Sequence, residues 1–232
     1  MERRTTFDDV LETIPIARWG FYELQAVAIV AFLAAAAIGW QGPPWAIAAI
    51  LPIASAWAVA WFYRDPPRDV PNDPSAFLAP ADGKVVAVDE LEHYGFFGGP
   101  ATRISVFLSV FDVHINRAPR AALLVEKDYR PGEHRNTLFG DSADRNEAFW
   151  TGWEDAGGAR FAVRQIAGLI ARRIVCDVEP GDRVATGHKF GMIKFGSRTE
   201  LIVPAGVEVT ARVGDRVRGG VTVLARTAEA AP

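Results

Sequence analysis

Glu179-Pro180-Gly181-Asp182-Arg183-Val184-Ala185-Thr186-Gly187 has an echo further along the chain, Arg212-Val213-Gly214-Asp215-Arg216-Val217-Arg218-Gly219-Gly220. In each, a Gly-Asp pair precedes Arg-Val, and a further glycine closes the stretch. Glycine accepts the positive φ that tight reversals need, so each stretch predicts a turn feeding a short strand. Around them lie β-branched or alternating runs bounded by Gly, Pro and Asp: Lys84–Val88, Arg103–Leu108, Arg160–Ile166, Leu201–Val203 and Val207–Val213. Helical periodicity is poor beyond Asp65, and only Ala167–Arg172 offers a short helical turn. Residues 64–232 therefore read as one mainly β domain.

The paired turns are similar to those of biotinyl- and lipoyl-type domains, which implies a barrel- or sandwich-like architecture. Such carriers need a lysine at a hairpin tip between the two halves. Here the intervening segment offers Gly196-Ser197-Arg198 instead.

Residues 1–63 have a different character. Two apolar runs, about 24–41 and 45–63, flank the turn Gln41-Gly42-Pro43-Pro44. Each approaches the roughly 17–25 residues that cross a bilayer core as a helix, and so short a connection permits only an antiparallel hairpin. Trp40, Trp45, Trp61 and Tyr63 stand at the run ends, at headgroup depth. Arg3, Arg4, Arg18, Arg64 and Arg68 lie outside the hairpin and its turn carries no basic residue, which predicts cytoplasmic chain ends. A soluble core hairpin, which Glu23 would suit, and a shallow re-entrant insertion are the alternatives. A hydrophobic fraction of 50% and a net charge of −3 argue against disorder and against nucleic-acid binding. Cys176 is the only cysteine, which excludes an internal disulfide and a cysteine metal cluster. Its apolar neighbours predict a buried filler.

Three segments carry chemistry. The first is Ala79-Pro80-Ala81-Asp82-Gly83-Lys84-Val85, with an aspartate at a strand entrance. The second runs from Phe107 to Pro119 and holds Asp112 and His114. If the preceding strand continues through it, those two share a face opposite Phe111, Val113 and Ile115, and a histidine beside a carboxylate can exchange protons near neutral pH. The third is Gly191-Met192-Ile193-Lys194-Phe195-Gly196-Ser197-Arg198-Thr199-Glu200-Leu201. No Gly-x-Ser-x-Gly elbow surrounds Ser197, so an ordinary serine hydrolase is not indicated.

In this order and spacing the three segments resemble the phosphatidylserine decarboxylase family, in its short bacterial and archaeal form. The long form carries Leu-Gly-Ser-Thr and a second histidine where this chain has Phe195-Gly196-Ser197-Arg198 and Arg117. The resemblance implies self-cleavage between Gly196 and Ser197 and a covalent pyruvoyl group made from Ser197, with no metal. That group would decarboxylate phosphatidylserine to phosphatidylethanolamine through a Schiff base. It implies His114 as base and proton donor, with Asp82 or, as a second candidate, Asp112 orienting it. Lys84, Lys189, Lys194 and Arg198 are the cations near the motifs for the substrate phosphate. The implied partners are the membrane, the phospholipid, and the two products 1–196 and 197–232 held together, with a homo-oligomer left open. The implied location is the cytoplasmic face of the bacterial inner membrane. Two rivals remain. A pyruvoyl enzyme for another amine-bearing carboxylate leaves the hairpin unexplained, and a non-catalytic, membrane-anchored β-sandwich adaptor predicts an uncleaved chain.

Overall fold

The computed structural model describes residues 15–133, 145–168, 173–194 and 197–227, apart from the side chain of Pro44. It divides into two compact units, Met1–Pro67 and Arg68–Pro232.

In the first unit a 3-10 turn, Arg18–Gly20, leads into helix α1, Phe21–Gly39. Its many Ala residues, with Leu24 and Leu33, favour helix, and Glu23 in the first turn complements the helix dipole. At 1.5 Å per residue α1 is about 28 Å long, enough for a bilayer core. The second apolar run is not one helix. It folds as a four-residue helix α2, Pro43–Ala46, a turn, and α3, Ile50–Phe62, with prolines at the start of α2. Helix α3 spans only about 20 Å, short of the core thickness. The two legs meet at their base, where Ala17 N–H donates to Tyr63 O at 2.6 Å and Asp65 N–H to Pro15 O at 2.8 Å. Nearly all of α1 faces outward, including Tyr22, Phe32 and Leu33. Arg64 stacks over the Trp61 ring at 4.4 Å, a cation beside an aromatic at the hairpin base.

The second unit is mainly β, as the sequence predicts. Its strands are β1 (Ala76–Leu78), β2 (Gly83–Tyr94), β3 (Gly99–Leu108), β4 (Ile115–Arg117), β5 (Ala122–Arg130), β6 (Ala148–Glu154), β7 (Arg160–Ala167), β8 (Arg173–Cys176), β9 (Arg183–Val184), β10 (Lys189–Lys194), β11 (Ser197–Pro204), β12 (Val207–Val209), β13 (Arg216–Val217) and β14 (Val223–Thr227). They form an antiparallel eight-stranded sheet in the order β13-β2-β3-β11-β7-β6-β5-β9, with two three-stranded sheets, β1-β14-β12 and β4-β10-β8. Phe77 of β1, Phe190 of β10, Leu224 of β14, and Val85, Val106, Trp153, Phe161 and Leu201 of the large sheet share one core. Three sheets closing over one apolar centre make the arrangement sandwich-like. The run Val207–Val213 gives a strand only to Val209, because the chain then enters the turn capped by Asp215. The helical turn expected at 167–172 lies, past Gly168, outside the described residues, while Ala167 ends β7.

The echoed stretches adopt one geometry twice. Asp182 accepts the Glu179 N–H and Asp215 the Arg212 N–H, both at 2.8 Å. Gly181 and Gly214 take φ of 100° and 105°, a region that penalises a Cβ. The first turn hydrogen-bonds to Leu124 through Gly181 N–H and Asp182 O, the second to Val85 through Gly214 N–H and Asp215 O. The strands that follow, β9 and β13, occupy opposite edges of the large sheet.

Candidate active site

Strand β11 runs through the middle of the large sheet, and Ser197 is its first residue. Ser197 lies opposite Leu108 of β3 and Ala167 of β7. Its side chain is completely buried, and among the described residues no hydrogen-bond partner reaches its Oγ. An unsatisfied buried hydroxyl costs about 1–3 kcal/mol, so its persistence at this position points to chemistry. Phe195 and Gly196 lie outside the described residues.

Strand β3 stops at Leu108, earlier than expected, and this corrects the expected shared face of Asp112 and His114. The chain turns at Ser109–Asp112, where Asp112 N–H donates to Ser109 O at 2.9 Å. The Asp112 carboxylate closes that turn by accepting the Ser109 N–H at 2.8 Å and hydroxyl at 2.7 Å. Its other oxygen is 3.6 Å from Arg216. Phe111, expected inside, is exposed, while Val113 and Ile115 are buried. Asp112 reaches His114 through its main chain instead: its carbonyl is 2.9 Å from His114 Nδ1. A carbonyl only accepts, so Nδ1 carries the proton and the neutral ring has its lone pair on Nε2. The ring is fully buried. The His114 carbonyl accepts Ile193 N–H at 3.2 Å, which ties the histidine to the end of β10, the strand that leads to Ser197.

Asp82 is not paired with His114. Its Oδ2 takes Arg68 Nη2 and its Oδ1 the Gly219 N–H, each at 2.8 Å. The Asp82 loop abuts the far end of β4, where Arg117 N–H donates to Pro80 O at 2.8 Å.

The four cations separate. Lys84 is exposed on β2, Lys189 is half-buried at the start of β10, and Lys194 is buried at its end. Arg198 sits on the face of β11 opposite Ser197, because successive side chains alternate. There it donates to Ser105 Oγ at 2.5 Å and lies 3.0 Å from the fully buried Glu200, which is also 3.6 Å from Arg164. Burial pushes the Arg198 guanidinium below its ordinary value, and Glu200 opposes that shift. The structure thus turns Arg198 away from Ser197.

On the Ser197 face lies a buried polar chain that the motif reading missed. Gln165 Nε2 donates to Val175 O at 3.2 Å and to Asn116 Oδ1 at 2.8 Å, and Asn116 Nδ2 donates to Thr199 Oγ1 at 3.0 Å. Because Val175 O can only accept, the orientation of both amides is fixed. Among the described residues no hydrogen-bond partner reaches the buried Gln165 Oε1. Gly191 makes room for this chain: a Cβ there would stand 2.2 Å from Val175 O and 2.9 Å from Gln165 Nε2. The signal was a polar residue at an inward position of an apolar strand, as Gln165 is after Phe161 and Val163. Asn116 and Thr199, each two residues beyond His114 or Ser197, follow the same period.

A family model described as phosphatidylserine decarboxylase matches residues 56–225. The phosphatidylserine decarboxylase proenzyme of Symbiobacterium thermophilum is 45% identical over 182 residues, covering 78% of this chain and 84% of that protein. That of Rhodopirellula baltica is 41% identical over 219 residues, 93% and 89% of the two chains. That of Nitrosomonas eutropha is 39% identical over 214 residues, 90% and 94%.

Proposed function

The chain belongs to the phosphatidylserine decarboxylase family, and on that premise we propose that it is a proenzyme that cuts itself between Gly196 and Ser197 and then decarboxylates phosphatidylserine. The observation that carries the reading is the buried, unpartnered Ser197 hydroxyl at the first residue of β11. His114, its proton fixed on Nδ1 by the Asp112 carbonyl, takes the Ser197 hydroxyl proton on Nε2. Ser197 Oγ attacks the Gly196 carbonyl, and the Ser197 nitrogen leaves with the proton from His114. The C–N bond is thereby exchanged for an ester. Loss of the residue-197 α-proton then expels the Gly196 carboxylate, and hydrolysis releases ammonia. The residual three-carbon unit is the pyruvoyl group.

The site fits that group. It requires a serine at a strand end with no competing hydrogen bond, and among the described residues Ser197 meets both conditions. The group's ketone supplies an electrophile for the substrate amine and a sink for the electron pair left when CO2 departs. His114 returns a proton to the substrate carbon. Lys189 and Lys194, on the strand leading to the scission point, are our assignment for the phosphate. The exposed apolar hairpin anchors the enzyme in the bacterial inner membrane with the catalytic unit on the cytoplasmic side.

Intact mass of the purified protein tests this reading. Two chains, 1–196 and 197–232, are expected, the second lacking a free amine. Ser197→Ala remains whole. A single full-length mass for the natural sequence would overturn the proposal in favour of an uncleaved adaptor.

A further inference from the structure

Five large apolar side chains are well exposed among the described residues of the catalytic unit, and three of them stand on two neighbouring turns. Val110 and Phe111, 39% and 75% exposed, form the tip of the turn after β3; Val213, 63% exposed, tips the turn before β13. The turns are joined. Arg216 lies 3.6 Å from Asp112, and the second turn hydrogen-bonds to Val85 of β2. Exposed cations surround the tips: Lys84, Arg212, Arg216 and Arg218. Lys84 and Arg216 stand directly opposite each other on the β2–β13 ladder, and like charges so placed repel unless an anion intervenes. Of the acidic groups of the two turns, Asp112 closes its own turn through Ser109 and faces Arg216 with its other oxygen, and the exposed Asp215 accepts the Arg212 N–H.

We propose that these two turns form a docking surface that seats the catalytic unit on an anionic phospholipid bilayer. This rests on the lipid-decarboxylase reading above. Phe111, Val110 and Val213 enter the headgroup region, while Lys84, Arg212 and Arg216 meet lipid phosphates and carboxylates. The surface continues into the site, since the Asp112 carbonyl that holds the His114 ring belongs to the inserted turn. A lipid headgroup under the tip is thus presented beside the histidine without leaving the bilayer surface.

The test uses the full chain reconstituted in phosphatidylcholine vesicles with or without phosphatidylserine. An environment-sensitive fluorophore is attached to Phe111→Cys. Native Cys176 does not compete, because burial pushes its thiol up to about 12. A blue shift that requires phosphatidylserine and weakens with salt is expected. In parallel, Phe111→Ser/Val213→Ser and Arg216→Ser should cleave themselves normally and act normally on a water-soluble, short-chain phosphatidylserine. Activity on vesicle-borne substrate should fall, by about tenfold or more for the apolar pair and about fivefold for the cation. An unshifted probe, or equal effects on both substrates, overturns the proposal. So does a loss of self-association with vesicle activity intact, which would make the surface a contact between copies. Failure to cleave or to decarboxylate the soluble substrate in the natural sequence refutes the underlying activity instead, and the probe shift still reports docking.

Discussion

Glu200→Gln isolates the buried ion cluster behind Ser197. The Glu200 carboxylate is fully buried, between Arg198 at 3.0 Å and the partly accessible Arg164 at 3.6 Å. A neutral amide of the same shape keeps the volume but leaves the Arg198 guanidinium buried without its counter-charge. Breaking a buried pair from one side costs about 3–5 kcal/mol. At ~2–4 °C per kcal/mol for a domain of this size, the melting temperature should fall by roughly 10 °C. Thermal unfolding followed by circular dichroism is the assay, in a Ser197→Ala background so that one uncut species is observed. Arg198→Met/Glu200→Met removes both charges and should recover to within about 1–2 kcal/mol of the parent, since a well-packed apolar pair replaces a buried ion pair at little cost. With Ser197 restored, the double variant should self-cleave, and its KM for phosphatidylserine should be unchanged because Arg198 faces away from Ser197. A melting shift below about 2 °C for Glu200→Gln would refute the claim that Glu200 is the counter-charge the buried Arg198 guanidinium needs.

Further outcomes follow from other parts of the molecule. His114→Ala should accumulate as the intact chain at neutral pH, and any fraction that cleaves should decarboxylate about 10²–10⁴-fold more slowly; normal cleavage and turnover would make the histidine structural. Gly191→Ala forces a Cβ to within 2.2 Å of Val175 O, so β8 and β10 must part; a loss of about 1–3 kcal/mol in urea unfolding, together with slower self-cleavage, is expected. The Asp73 carboxyl is held down to about 2, first by the Ser75 hydroxyl and then by Arg226, from an ordinary 3.8. A carboxyl depressed in the folded state stabilises fully above its unfolded value, and that contribution is lost as pH falls from about 4 towards 2. Asp73→Asn should therefore flatten this part of the stability–pH curve, measured by unfolding at stepped pH. Cys176 should resist maleimide at pH 8 in the native protein and react once the chain is unfolded, because burial pushes its thiol up to about 12.

The sequence made the β domain legible because its strands announce themselves locally. Lys84–Val88 and Arg103–Leu108 alternate between Gly and Pro boundaries, and the Gly-Asp turns fix where strands begin. The motif residues Asp82, His114 and Ser197 were legible as types, but their mutual contacts were not. Period-two reasoning carried the strand through Asp112 to His114. It failed because a serine followed three residues later by an aspartate can close its own turn, a competition between side-chain hydrogen bonds and the ladder. Asp82's preference for Arg68 and Gly219 depends on loops far apart in sequence, which no local pattern reports. The second apolar run misled by composition alone. It is hydrophobic throughout, yet the prolines at 43 and 44 start one short helix, and a turn at 47–49 separates it from the next. Arg198, judged by its nearness to Ser197 in sequence, was assigned to the substrate, whereas alternation along β11 places it on the other face.

The two sides of the proposed scission belong to different sheets, which bears on what cleavage does to the fold. Strand β10 pairs with β4 and β8, while β11 pairs with β3 and β7. Breaking the chain between them parts neither strand from its ladder partners; the backbone group given up is the residue-197 N–H, which a pyruvoyl group lacks. The segment from Ser197 onward also supplies β13 to the edge beside β2, and β12 and β14 to the sheet completed by β1. Leu201, Val203, Leu224 and Ala225 of that segment lie within the shared core. Residues 197–227 are therefore woven through two of the three sheets and cannot leave without dismantling both. On the proposed mechanism, self-cleavage would release a chain end where the reactive group is needed while the surrounding packing stays fixed, so the two products should co-purify until denaturant is added. Separation of the short product under native conditions would show that the ladders on either side of Ser197 do not hold it.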